Sequence, residues 1–330
     1  MSAFSLTWQE SYARVVGYSQ VTFYVIVSRM IETYTIAHLS DVHLSPIVGF
    51  YPKYWNVKRA LGLANWQRGR SRVHQREVAD QLIADAKALR ADHIVITGDL
   101  VNLGLPEEYE AALEWLNSVG PPDRVTVVPG NHDIYTTLKG DKGVARWAAY
   151  MGAEEESLAF PFVRKLGPLA LVGLNSANET PPFVASGRLG AHQVEVAGEL
   201  LTRLAGEGVV RVVLIHHPPL RDLAEPRRGL EDAAHFMRML DRCGAELVLY
   251  GHNHQALVTW HPGEFMSIPI AGVASASAGK LYKKEPLAHY NLFTIFKRDD
   301  GVRIRHVTRG LQAPNGAVVK LAETVLNSHP

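Results

Sequence analysis

The 330-residue sequence holds one cysteine, Cys243. That excludes a framework of intrachain disulfides and makes a reducing cytosol the default compartment. The thiol itself reads as core filler. Long apolar runs are missing too: Val21 to Val27 falls far short of the ~20 residues that a membrane-spanning helix needs. The opening residues lack the ordered basic start, apolar core and small-residue cleavage site of a secretory signal. Neither sign of charge dominates, with 34 lysines and arginines against 33 aspartates and glutamates. A general nucleic-acid binder is therefore not indicated, and no specific nucleic-acid partner is expected.

What is present is a chain with 47% hydrophobic residues, enough for a sizeable core. Met30 stands just before the first strong strand pattern. This marks residues 1–29 as an optional or non-native extension and 30–330 as a single domain. Buried strands are predicted at Thr35–Leu39, His93–Thr97, Arg124–Val128, Leu169–Leu174, Val209–Ile215 and Leu247–Tyr250. Between them, Val78, Leu82, Ala86 and Leu89 share one helical face, and Tyr109, Ala112, Leu113 and Leu116 another. After residue 255 the helical pattern stops. Ala256–Trp260, Met266–Ala271, Tyr290–Phe296 and Val302–Val307 read as antiparallel strands. An α/β part followed by a β-rich tail predicts two packed sheets with outer helices.

Five polar clusters each follow a predicted strand: Asp41-Val42-His43, Gly98-Asp99, Gly130-Asn131-His132-Asp133, His216-His217-Pro218-Pro219 and Gly251-His252-Asn253-His254. Singly each is weak, since Gly-Asp and His-Pro pairs are common in turns. Together, in this order and at strand ends, they are poorly explained by chance. Loops at the carboxyl ends of parallel strands are where α/β folds gather a site.

This ordered set resembles the signature of calcineurin-like metallophosphoesterases over roughly Thr33 to Val307. The His-His-Pro-Pro form is similar to the bacterial cyclic-nucleotide phosphodiesterase branch. The resemblance implies a four-layer αββα sandwich of two mixed sheets, with two divalent ions (manganese, iron or zinc) at strand C-terminal ends. It assigns Asp41, His43, Asp99 and His254 to one ion and Asp99, Asn131, His216 and His252 to the other. His132 takes the role of catalytic histidine. Imidazole and carboxylate suit these metals, and a bridging Asp99 would let two cations sit about 3.5–4 Å apart. With a bridging hydroxide the centre would carry about +1, a fitting partner for a phosphate ester. The implied activity is in-line attack on phosphorus by that hydroxide, in a phosphodiesterase. Runner-up readings are a nucleotide-lipid pyrophosphohydrolase of the diacylglucosamine type, a phosphomonoesterase, a nuclease and a non-catalytic binding subunit.

Some assignments stay open. His217 competes with His216 as ligand. Asp133 either orients a histidine or caps its loop. Two residues apart, His252 and His254 would point oppositely on extended backbone, so the chain should turn there, with Gly251 permitting it. His38, His74, His93, His192, His235, His261, His289 and His306 lack motif support and are given surface or core roles. The loop Gly272–Ser277 reads as a turn, with close backbone approach to a ligand as the alternative. Ser186 to Gly190 reads as a helix start.

Tyr51 to Arg76 contains seven basic residues, no acidic one, and Tyr51, Tyr54, Trp55 and Trp66 between them. It is either a solvated helix start with inward aromatics or a rim. A rim of this kind would attract an anionic ligand, its aromatics able to stack on a nucleobase as in a cyclic nucleotide, or an anionic lipid surface. The second case would make the cytoplasmic protein peripheral to a membrane.

Overall fold

The structure, a computed structural model, describes residues 32–136, 138–298 and 301–327. The expected extension over 1–29 lies outside the described residues.

Alternation of apolar side chains builds two six-stranded sheets. The first has the order β12 (Val318–Asn327), β11 (Gly301–Leu311), β10 (His289–Arg298), β1 (Glu32–Leu39), β2 (His93–Ile96) and β3 (Val125–Val127). The second runs β4 (Phe162–Leu166), β5 (Leu169–Gly173), β6 (Val210–Leu214), β7 (Leu247–Tyr250), β9 (Ser267–Gly272) and β8 (Leu257–Pro262). Period-two patterning sends alternate residues to opposite faces. Ile36, Val95, Leu171, Val212, Leu249 and Phe293 meet between the sheets. The intervening residues Ala37, Ile94 and Ile96 face the helices α3 (Arg76–Ala88) and α4 (Pro106–Val119). Val172, Val213 and Val248 face α5 (Ala191–Gly206) and α6 (Ala233–Cys243) on the other side. Helix, sheet, sheet and helix thus form four layers.

In the centre of each sheet the strands are parallel: β1, β2 and β3 in one, β5, β6, β7 and β9 in the other. The five polar clusters follow β1, β2, β3, β6 and β7, and so emerge at the ends that parallel strands share. Cross-links join them. The amide of Asp41 donates to Gly98 O at 2.9 Å, that of His43 to Asp99 O at 2.9 Å, and that of Gly251 to His216 O at 3.0 Å.

Several elements differ from the sequence reading. The tail is not wholly antiparallel, because β9 pairs parallel with β7 and only its other edge meets β8 antiparallel. β4 and β12 were not anticipated: β4 carries Arg164 and Lys165, and β12 is an edge strand half-buried at Val318 and Val319, exposed from Lys320 to Val325 and buried at Leu326. Leu89 lies past the end of α3 and is exposed, whereas Val78, Leu82 and Ala86 are buried. No helix among the described residues is long and apolar enough to cross a membrane.

Candidate metal centre

The loops after the five strands bring all seven expected ligands, and His132, into one buried cluster. Each donor within Asp41, His43 and His254 lies within 4.8 Å of the others, as do those of His43, Asp99 and His132 and those of Asp99, His216 and His252. Asp99 stands between the two halves. Its Oδ1 accepts from the His132 amide at 2.7 Å, which leaves Oδ2 3.8 Å from His43 Nε2 and 3.4 Å from His216 Nε2. On one side, His254 Nε2 meets Asp41 Oδ1 at 3.1 Å. On the other, Asn131 Oδ1 lies 3.1 Å from His216 Nε2 and 2.8 Å from His252 Nδ1.

The backbone that places these groups is strained. Asp41, His43, Asp99, His252 and His254 all have positive φ, between 43° and 67°. Non-glycine residues adopt that region at a cost, and such strain concentrates at functional sites. The turn expected from Gly251 is therefore made by the two histidines themselves. Gly251 is needed for another reason: a Cβ there would collide with Ser40 Oγ, closing the space between the first and fifth loops.

The donor chemistry fits divalent cations. His216 Nδ1 donates to Thr97 O at 2.6 Å and His254 Nδ1 pairs with Glu285 Oε2 at 2.8 Å. Each ring is thereby oriented with Nε2 inward, the arrangement that metal-binding histidines use. Arg70 Nη2 donates to His43 Nε2 at 2.9 Å. A guanidinium only donates, so His43 carries its lone pair on Nε2, the nitrogen nearest Asp99, and turns it to Arg70. Against the penalty of burial, Asp99 raises His216 to about 9 and Asp41 raises His254 to about 9. Burial, with Arg70 adding to it, holds His43 well below the usual histidine range. Buried carboxylates and imidazoles that answer each other this strongly are suited to hold cations.

His132 Nδ1 donates to Asn102 O at 2.6 Å, so Nε2 faces the open side. Its ring is stacked on Tyr135, with centroids 5.5 Å apart. Burial pushes it down to about 4, Asp99 opposing. His217 turns away from the donor cluster: its Nδ1 bonds Ser176 Oγ at 2.8 Å and its ring packs 4.6 Å from that of His252.

Two residues, His74 and Glu285, were missed by the sequence reading, and Arg70 was read only as part of the basic rim. His74 stands 4.6 Å from His43, ring to ring, with Nδ1 2.9 Å from Ser277 Oγ, and is not the bland core histidine expected. Arg70 reaches His43, His74 and His132 together. Glu285 carries no motif at all. The loop Gly272–Ser277 approaches the site as well, since Ser275 Oγ donates to Asp41 O at 2.7 Å. Within the basic segment, the buried Arg59 donates to Leu103 O, Gly104 O and Thr136 O. It ties α1 (Val57–Asn65) to the loops after β2 and β3. Trp66 is buried, while Tyr51 and Trp55 are exposed. The segment thus combines inward packing with a rim.

Comparison with known proteins agrees with this geometry. The family description "Calcineurin-like phosphoesterase" matches residues 34–256. A "Probable cyclic nucleotide phosphodiesterase" of Vesicomyosocius okutanii is 21% identical over 66% of this chain and 82% of its own. "Glycerophosphodiester phosphodiesterase GpdQ" of Enterobacter lignolyticus is 24% identical over 52% of this chain and 58% of its own. Among solved structures, a dimetal phosphatase from Danio rerio shares the fold at a TM-score of 0.58 and 15% identity, covering 88% of this chain and 98% of that one. The sandwich, the strand-end clusters and the family match lead to one conclusion: the chain belongs to the calcineurin-like phosphoesterase family of metal-dependent phosphoester hydrolases.

Proposed function

We propose that the protein is a phosphodiesterase working with two divalent ions. Asp41, His43, Asp99 and His254 would hold one ion, and Asp99, Asn131, His216 and His252 the other. The observation that carries this reading is the position of Asp99, whose Oδ2 lies 3.8 Å from His43 Nε2 and 3.4 Å from His216 Nε2, as a shared ligand requires. Ions bound there supply hydroxide near neutral pH and polarise phosphoryl oxygens. The chain's own part is to position and to move a proton. His132 Nε2 faces the cavity beside the centre and stands to pass a proton to the leaving oxygen. An incoming phosphate anion raises the proton affinity that burial lowers. Arg70 sets positive charge beside the same atom, 3.5 Å from His132 Nε2. The phosphodiesterase names of the relatives support a diester, and cyclic nucleotides are the first natural substrates to assay.

The test is hydrolysis of bis(p-nitrophenyl) phosphate against p-nitrophenyl phosphate by protein stripped with chelator and reloaded with manganese. Faster diester turnover is the expected result. A preference for the monoester would replace the reading with a phosphatase.

A second reading, a nucleotide-lipid pyrophosphohydrolase acting at an anionic lipid surface, is favoured by exposed aromatics in the basic segment and at the cavity, where Phe183 forms part of the lining. Tyr51, Trp55 and Phe183 are 52%, 60% and 82% exposed, with Lys53 lying over the Tyr51 and Tyr54 rings. Cosedimentation with phosphatidylglycerol but not phosphatidylcholine vesicles would support it, and recovery in neither would remove it.

A further inference from the structure

Beside the metal centre lies a cavity of about 480 Å³. It is continuous with the centre, because Arg70, Asn131, His132 and Arg228 line both spaces. Among the described residues, four cationic side chains face it, Lys58, Arg68, Arg70 and Arg228, and no aspartate or glutamate lines it. Like charges gathered on one concave wall repel one another, and low-dielectric walls focus their field. Such a wall is stable in company with an anion.

A single phosphodiester group carries one negative charge, and that charge would be met at the metal centre. The cations deeper in the cavity are therefore surplus to a simple diester. Lys58 is fixed by neutral groups, its Nζ donating to Tyr135 O at 2.8 Å and Thr180 Oγ1 at 3.2 Å. It lies 4.4 Å from the centroid of Tyr135, the ring stacked on His132. Glu179, whose field reaches Lys58, is not part of the lining. Arg68 is exposed and has no carboxylate partner among the described residues. The remaining wall mixes neutral polar side chains such as Asn65 and Thr180 with an apolar surface of Leu61, Trp66 and Phe183. Cations next to an aromatic and aliphatic surface suit a group that is charged at one end and flat or apolar at the other.

We infer that this cavity is a second anion subsite, which receives a further phosphoryl group on the leaving-group side of the scissile phosphorus. The inference rests on the phosphodiesterase reading and narrows it. The favoured diesters are those bridged by diphosphate, such as nucleoside diphosphate esters, over esters of uncharged alcohols.

The experiment is calorimetric titration of the manganese-loaded chain with ADP and with AMP, in the wild type and in Arg68→Gln and Lys58→Met separately. Metal content by mass spectrometry and circular dichroism confirm that each variant is folded and loaded. Because ADP carries more charge than AMP for any metal centre, the change in their affinity ratio is what decides. ADP is expected to bind at least about tenfold tighter than AMP in the wild type, with the ratio falling several-fold in each variant. An unchanged ratio in both variants overturns the subsite. Turnover of bis(p-nitrophenyl) phosphate by the wild type reports separately on the underlying reading. Turnover with an unchanged ratio removes the subsite alone, whereas no turnover with a ratio that collapses in the variants removes the diesterase reading and with it the leaving-group role, and leaves the cavity as an anion-binding site only.

Discussion

The Asp133 carboxylate accepts the backbone amide of Asp99 at 2.8 Å, so the residue after the third strand sets the shape of the loop after the second. The same carboxylate accepts from the amides of Leu100 at 2.8 Å, Val101 at 3.1 Å and Gly130 at 2.8 Å. Of the two roles open to Asp133 in the sequence, loop capping is the one its contacts describe. Asp133→Ala would leave four buried donors without this acceptor, each costing about 1–3 kcal/mol when unmet. We expect metal affinity to fall by roughly 10–100-fold, as when the support of a ligand is lost, together with a clear drop in Tm. Metal titration and calorimetry check it. An unchanged affinity would mean that the Asp99 loop holds its shape without Asp133.

His132 supports Asp99 through its backbone, while its ring stands beside the centre. Its amide bonds Asp99 Oδ1 while its side chain is held by Asn102 O. His132→Ala keeps the first bond and removes the ring. Turnover should therefore fall by about 10²–10⁴-fold, the range for a positioned proton donor, while two metal ions per chain remain by mass spectrometry. Loss of metal in this variant would transfer His132 to the ligand shell.

His216 and His217 are neighbours with perpendicular rings, 5.1 Å apart, and their surroundings separate their roles. Only His216 points a nitrogen at Asp99 and Asn131. His216→Ala should lose an ion and nearly all activity. His217→Ala should keep its metal and lose less, through the shift of the His252 ring it packs against. Metal loss confined to the His217 variant would exchange the two roles.

Motifs of two to four residues carried most of the candidate centre, because each expected ligand lies in the loop beyond a strand whose own pattern is plain. Asp41, Asp99 and His216 were legible for that reason. His74 and Glu285 were not, since nothing near them in the sequence says that they face the centre, and Arg70 was legible only as one basic residue of a rim. Arg70 reaches His43 from a π-helical turn at Trp66–Arg70, and a basic side chain there looks like any solvated one. Glu285 meets His254 from an irregular loop. The Gly251 turn was misplaced because a glycine is the usual carrier of positive φ, whereas here histidines bear that strain and the glycine answers a steric contact. In the fold, the two alternating faces of β6 and β7 announced burial on both sides. The exposed, charged β12 announced nothing, as an edge strand often does.

His93 gives the fold a pH dependence independent of the metals. It opens β2, with Nε2 2.7 Å from Oγ1 of Thr126 on β3. Burial, aided by the fields of Arg164 and Arg124, lowers its pKa to about 3. The folded value is thus below the ordinary 6.5, so the folded state holds the ring neutral. Between about pH 6.5 and 3 the unfolded chain takes up a proton that the folded chain refuses. Stability must then decline as pH falls through that window, by up to ~1.4 kcal/mol per pH unit for each such group. His38, also lowered to about 3 by burial, adds to the slope. His93→Gln removes one titrating group, so the gap in Tm between pH 7 and pH 4.5 should narrow. The gap is the quantity to compare, because losing the bond to Thr126 shifts both temperatures. An equal gap in variant and wild type, measured by calorimetry on metal-free protein, would show that His93 is protonated in the folded chain.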